Sequence, residues 1–341
     1  MASSPKQDAS EELMTRSGAT LLFAHANGFC KETWDPVIRR LKQSPMLQQA
    51  VKEYVTYDQP FQASNRDESV LGEVYYKDDK PSSPRVKHPL NNWPDIAAEA
   101  AYQQVQRLNA AAEGGPRRPL IGIGHSMGAA ALWATEARHP GTFDGLILLE
   151  PIFGETDAAY NKSVDFLVSI TLARDNKWYI SSMLWHVRMV FNVYLRVHRP
   201  TVEAAVSHFE NWKNFASWDR ESLASWIKGG VVYDETQQAA VLACHPQVEA
   251  AVYSGPRLCL TDSELAAPQC PVTFHSGSRT RLFDRDVFER LAGQYPGVYT
   301  THPPLPNTSH LLVFEDPAAS TAAILADLEK LTPFQPGSAH L

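Results

Sequence analysis

An apolar run that ends in Gly124-His125-Ser126-Met127-Gly128, and passes at once into small helix-favouring residues, constrains this chain more than any other stretch. Residues 119–124 read as a buried strand and residues 126–138 as a helix. A serine between two glycines at such a seam sits on a turn too tight for ordinary side chains two residues to either side, so glycine is favoured at both places. The hydroxyl then stands clear of the strand. The helix that starts behind it points free N–H groups and the positive end of its dipole at the atom under attack. This is the setting a nucleophile needs.

The surrounding text repeats the same rhythm. Residues 19–25 read as a buried strand bounded by Gly18 and Asn27-Gly28, followed by a helix from Glu32 to about Leu47 and a strand over 52–58. Residues 62–92 are polar, carry prolines at 81, 84 and 89, and read as a long surface loop. Pro94-Asp95 opens a helix to about Ala112, which Gly114-Gly115 stops. Residues 144–150 give another strand. From 151 to 265 there is no clear β-alternation, only long helical stretches and five of the eight tryptophans: Trp178, Trp185, Trp212, Trp218 and Trp226. Strand text returns at 271–276, with a helix over 284–294, a strand over 297–302 and a helix over 317–331. Strands alternating with helices give an α/β class with a mostly parallel, doubly wound sheet. A helical cap is inserted after the strand that ends at Glu150. The expected divisions are 1–150 for the first part of the core, 151–265 for the cap, and 266–341 for the second part with a flexible C-terminal tail.

Composition narrows the function classes. With 341 residues and a net charge of −7, the chain lacks the basic footprint of a general nucleic-acid binder. The four cysteines, Cys30, Cys244, Cys259 and Cys270, form no CxxC pair and have no zinc-like spacing with histidine, so they read as buried or half-buried free thiols and imply no metal. The first residues, MASSPKQDASEELMTRSG, are polar, and we expect neither a secretory signal nor a membrane span. The chain closes on Ala339-His340-Leu341. This has the small, basic-capable, leucine pattern of the peroxisomal Ser-Lys-Leu address and would engage an import receptor. The location expected is the peroxisome, otherwise the cytoplasm.

Gly-x-Ser-x-Gly in this setting resembles the nucleophile elbow of the α/β-hydrolase fold, in which serine, acid and histidine follow in that chain order. Among twelve histidines, His310 stands out. It lies between the last strand and the last helix, in a loop that overhangs the same strand ends as Ser126, where ligands bind in open α/β sheets. The acid usually follows the penultimate strand, but there Arg279 and Thr280 occupy the expected place. The nearest acid, Asp284, reads as the N-cap of the following helix and is kept as the alternative. Glu150, which closes an apolar strand, is favoured, because a carboxylate there is costly without a partner. His25-Ala26-Asn27-Gly28-Phe29 after the first strand takes the place of the oxyanion loop. The expected donors are the amides of Met127 and Phe29, with Asn27 as the other register.

HANGF, GHSMG, a terminal-loop histidine before Glu-Asp-Pro, and a cap after Glu150 together resemble the α/β-hydrolase superfamily over essentially the whole chain. Locally, HANGFCKETWDPV (25–37) and CHPQVEAAVY (244–253) are similar to fungal peroxisomal serine hydrolases, a group that includes peroxisomal lipase-like proteins, toxin-biosynthesis hydrolases and the acyl-CoA hydrolase of mycophenolic acid synthesis. The resemblance implies hydrolysis of a carboxylic ester or acyl-CoA thioester without a cofactor. The tryptophan-rich insertion would then cover the serine and form an apolar acyl pocket. An acyltransferase or cyclase, an interfacial lipase and a non-catalytic binding protein on the same fold remain alternatives.

Overall fold

The computed structural model of the chain describes residues 18–111, 117–155, 158–174, 177–178, 202–211, 213–236 and 239–335. Its strands, in chain order, are β1 (Ala19–Ala24), β2 (Val51–Tyr57), β3 (Glu73–Tyr76), β4 (Pro84–Lys87), β5 (Leu120–His125), β6 (Gly145–Leu149), β7 (Lys177–Trp178), β8 (Val231–Asp234), β9 (Ala239–Leu242), β10 (Val272–His275) and β11 (Tyr299–Thr301). Six of them form one sheet in the order β11-β10-β6-β5-β1-β2, and every neighbouring pair is parallel. Strands β1, β5 and β6 are buried along their whole length, as near-continuous apolar runs must be when helices cover both faces.

Strand alternation sorts the core into two layers. Leu22, Ala24, Leu146, Leu148, Val272 and Phe274 face one layer, where the helices Trp93–Ala111 and Met127–Arg138 pack. Leu21, Phe23, Ile121, Ile123, Ile147 and Leu149 face the other, with the helices Asp35–Leu41 and Pro317–Leu328. The helix after the elbow is buried from Met127 to Ala137, and its alanines allow the close approach of Ala97, Ala98 and Ala101. The chain enters the sheet at β1, steps out to β2, and returns to β5 on the other side of β1. The order therefore reverses between β1 and β5, and a crevice opens outside the carboxyl ends of those two strands. The β1 loop and Ser126 both emerge there.

Three expectations are corrected. The helix expected over 32–47 is broken into a 3₁₀ turn, Lys31–Trp34, and the helices Asp35–Leu41 and Pro45–Ala50. Pro45 forbids the helical conformation at Ser44, whose ψ is 122°. The surface loop expected over 62–92 holds the antiparallel hairpin β3–β4, of which Pro84, Arg85 and Val86 are buried. The insertion is not wholly helical: β7, β9 and β8 form a small antiparallel sheet beside the helices Ala158–Leu172, Val202–Asn211 and Arg220–Gly230. Strands of two to four residues, one of them the fully buried Ala-Ala-Val-Leu of β9, are too short to give an alternating signal.

Trp218 and Trp226 are buried, and Trp218 stacks on Phe314 with ring centroids 4.6 Å apart. Trp178 lies in β7, while Trp185, Trp212 and the terminal Ala339, His340 and Leu341 lie outside the described residues. Among the cysteines, all free, Cys30, Cys244 and Cys270 are buried and Cys259 is exposed. Among the described residues no helix is long and apolar enough to cross a membrane.

Candidate active site

Ser126 follows β5 directly and takes φ 55° and ψ −117°, a conformation that costs a non-glycine residue about 1–3 kcal/mol. The flanking glycines are sterically required. A Cβ on Gly124 would stand 2.7 Å from the backbone nitrogen of Ala129, and one on Gly128 would stand 2.6 Å from the carbonyl oxygen of His25. The turn is fixed by the Ser126 N–H bonded to Leu149 O at 2.9 Å and by the Ala130 N–H bonded to Ser126 O at 3.0 Å.

His310 and Glu150 meet at this serine. Ser126 Oγ lies 2.9 Å from His310 Nε2, and His310 Nδ1 lies 2.6 Å from Glu150 Oε2. Glu150 is fully buried and also has a positive φ of 49°. Its carboxylate accepts from the Gly277 N–H at 2.7 Å and from Thr280 Oγ1 at 2.7 Å. Oε2, which receives Thr280, also accepts the Nδ1–H of His310, whose Nε2 is then free to take the serine proton. Asp284 is exposed, precedes the helix Arg285–Gln294 and makes no side-chain capping bond. It is not brought to His310.

The β1 loop lies opposite the elbow. The Phe29 N–H bonds to Ala26 O at 3.3 Å and closes a turn, while the Gly28 N–H bonds to Gln62 Oε1 at 2.9 Å. Among the described residues the N–H of Asn27 has no such partner. The Phe29 amide thus closes a turn, and Asn27 offers the other register. The Asn27 side chain bonds to Glu249 O at 3.0 Å and receives Gln62 Nε2 at 3.0 Å, which holds the loop in place. Glu249 is itself paired with Arg174 at 2.8 Å. His25 is buried, and burial lowers its pKa against the pull of Asp58. Its Nε2 accepts from the Gln59 N–H at 3.0 Å, which leaves Nδ1–H for Ala26 O at 2.7 Å. Met127 is the first residue of its helix, so its N–H has no partner within that helix.

Two contacts at this site have no local signature in the sequence. Thr280, standing where an acid is usual, donates to the acid supplied by another strand. His125, inside the elbow, reaches the carbonyl oxygen of His310 with Nε2 at 2.7 Å. Glu315, the first residue of the Glu-Asp-Pro signature, receives the Ser309 N–H at 2.6 Å, and Asp316 caps the last helix through the Ala319 N–H.

Elsewhere, among the described residues, His275, His302 and Asp327 have the composition of a metal site. Their geometry favours hydrogen bonding instead. His275 Nε2 is 2.6 Å from Asp327 Oδ2, and the two imidazole planes are parallel within 4° with centroids 4.5 Å apart. Lone pairs lying in two stacked, parallel planes do not converge on one ion.

The family model described as "Alpha/beta hydrolase family" matches residues 21–324. No curated protein matches the sequence. Among solved structures, the chain is similar to the peroxisomal alpha-beta-hydrolase Lpx1 of Saccharomyces cerevisiae, with a TM-score of 0.60 and 16% identity, over 97% of this chain and 82% of that one. It is similar to an E-2-(acetamidomethylene)succinate hydrolase, with a TM-score of 0.61 and 13% identity over 92% of each chain. A thioesterase domain from the curacin biosynthetic pathway aligns with a TM-score of 0.52 and 16% identity over 91% of each chain. At these identities the likeness is one of fold.

Proposed function

The chain belongs to the alpha/beta hydrolase family, and from that premise we propose that it is a serine hydrolase that cleaves a carboxylic ester or an acyl-CoA thioester through an acyl-enzyme on Ser126. The observation that carries this reading is the unbroken hydrogen-bonded path from Ser126 through His310 to Glu150, with links of 2.9 and 2.6 Å. His310 takes the serine proton through Nε2 as Oγ attacks the carbonyl carbon. Glu150 holds Nδ1–H, and so the tautomer, and stabilises the imidazolium that forms. The amides of Met127 and Asn27 receive the oxyanion, each such donor being worth about 3 kcal/mol in the transition state. His310 then protonates the leaving group, and a water that it activates releases the acid and restores the serine.

A fully buried carboxylate with three hydrogen-bond donors and a strained backbone favours Glu150 over the exposed Asp284 as the acid. The insertion between 151 and 265 supplies the acyl pocket, and the ends 1–150 and 266–341 build the catalytic core. Ala339-His340-Leu341 serves as a peroxisomal import address, a reading in keeping with a structural neighbour that is itself peroxisomal. The test is hydrolysis of a panel of acyl-CoA thioesters and p-nitrophenyl esters by the wild type and by Ser126→Ala, Glu150→Ala and Asp284→Ala. Loss in the first two variants with Asp284→Ala near wild type is expected. Loss in Asp284→Ala with Glu150→Ala active would return the acid to its usual strand. No turnover by the wild type would favour a binding protein, and acyl transfer to an added alcohol or amine in preference to water would favour a transferase.

A further inference from the structure

His310 stands on irregular backbone. No helix begins until Leu312, and the preceding residues are tied to the loop after β10 by the isolated bridge from Gly277 to Leu305, the Arg279 N–H bonded to Thr308 O at 2.8 Å and the Asn307 N–H bonded to Ser278 Oγ at 2.9 Å. A general base must hold its ring within a fraction of an ångström of the proton it takes, which a loop does not do unaided. At His310 itself and its neighbour Ser309, two further contacts grip the main chain. On one side, Glu315 accepts the Ser309 N–H at 2.6 Å and Ser309 Oγ at 3.0 Å. On the other, the carbonyl oxygen of His310 lies 2.7 Å from His125 Nε2.

The second contact has a particular geometry. His125 is the last residue of β5 and directly precedes Ser126, so one strand end carries both the nucleophile and the clamp on the base. A carbonyl oxygen only accepts, which places the proton of His125 on Nε2. Burial, with the neighbouring His310 adding to it, holds the His125 pKa down to about 3, so the ring stays neutral at working pH. Neutrality matters because the two ring centroids are 5.2 Å apart, and a charged His125 would oppose the imidazolium formed on His310. Phe314 packs edge-on against the same ring at 5.8 Å and keeps it dry.

We propose that His125 is a positioning residue, which donates Nε2–H to the His310 carbonyl and so holds the base in line with Ser126 Oγ. The proposal rests on the reading of Ser126, His310 and Glu150 as the catalytic set, and the test separates the two. A fluorophosphonate probe labels wild type at Ser126 and leaves Ser126→Ala unlabelled; a wild type that takes no label overturns both. Given labelling, His125→Phe, which keeps the ring volume but has no donor, is expected to lose about 10- to 100-fold in labelling rate and in kcat on a p-nitrophenyl ester, with KM within twofold. His125→Gln, whose amide can reach the same carbonyl, is expected to recover to within about fivefold of wild type. A His125→Phe enzyme labelled within twofold of the wild-type rate overturns the proposal, as does an equal loss in both variants. In the wild type, nitrogen-15 NMR of the histidine rings provides a reading independent of any substitution. His125 is expected as the neutral Nε2–H tautomer with a slowly exchanging proton, and an Nδ1–H tautomer or a charged ring would overturn it.

Discussion

Replacing Glu150 by glutamine leaves the side-chain shape in place but keeps only one acceptor oxygen, so it can no longer accept from all three neighbours at once. The carboxylate receives three donors: the Gly277 N–H at 2.7 Å, Thr280 Oγ1 at 2.7 Å and His310 Nδ1 at 2.6 Å. A glutamine can offer its single carbonyl oxygen to Gly277, which cannot turn away because its backbone is fixed. Its amide then faces Thr280 and His310. The threonine hydroxyl can rotate to accept, whereas His310 must shift its proton to Nε2 and point a donor at Ser126, where an acceptor is needed. Loss of the correct tautomer in a serine triad costs roughly 10⁴-fold in kcat in the best-known serine protease case, or about 5 kcal/mol at 1.36 kcal/mol per decade. Because Thr280 can partly compensate, the loss expected for Glu150→Gln is roughly 10³- to 10⁴-fold in kcat, with KM changed less than threefold. Steady-state hydrolysis of a p-nitrophenyl ester measures both. A Glu150→Gln enzyme that keeps a tenth of the wild-type kcat would refute the reasoning, since a base supported by a different acid would not notice the change.

Other expectations follow from neighbouring contacts. Thr280→Val removes one of the three donors and should lower kcat roughly ten- to hundredfold, in keeping with about 1.5–3 kcal/mol for one bond to a charged group, while Thr280→Ser should restore it. Gly128→Ala drives a methyl group against the carbonyls of Ala24 and His25 and should cost about 3 kcal/mol, seen as a drop in Tm of roughly 4 °C by calorimetry. Asp327 is buried between His275 and His302, and the hydrogen bond from His275 with the close approach of His302 Nε2 at 2.9 Å holds its carboxyl below the ordinary range despite burial. A carboxyl so depressed contributes stability above the unfolded-state pKa of about 3.9 and loses it as pH falls below that value. Asp327→Asn should therefore destabilise the protein by roughly 2–4 kcal/mol at pH 7, and the gap from wild type should begin to narrow in urea titrations only below about pH 4 and shrink progressively as pH falls further.

Much of this was legible in the sequence because the signals are local. Gly124 and Gly128 mark the elbow through a steric demand that two residues express by themselves. The strands β1, β5 and β6 announce themselves as runs buried on both faces, and their alternation with helices fixes a parallel sheet. Glu150 stood out as a charge at the end of such a run. What escaped has its cause far away along the chain. The turn that the Phe29 N–H closes goes with a β1 loop held through Gly28 by the distant Gln62. The contacts of Thr280 with Glu150 and of His125 with His310 join residues 130 and 185 positions apart, and nothing near either residue declares them. The short strands β7, β8 and β9 pair through tertiary packing, with too few residues in each for periodicity to register.

The measurement that reaches the central claim most directly is chemical trapping of the acyl-enzyme. The wild type is mixed with excess p-nitrophenyl ester, quenched in acid during the pre-steady-state burst, and mapped by peptide mass spectrometry. The account predicts one acyl group per chain on the peptide that contains Ser126, a burst of p-nitrophenolate of matching amplitude, and the loss of both in Ser126→Ala. An acyl group on another residue, or steady turnover by Ser126→Ala at the wild-type rate, would contradict it.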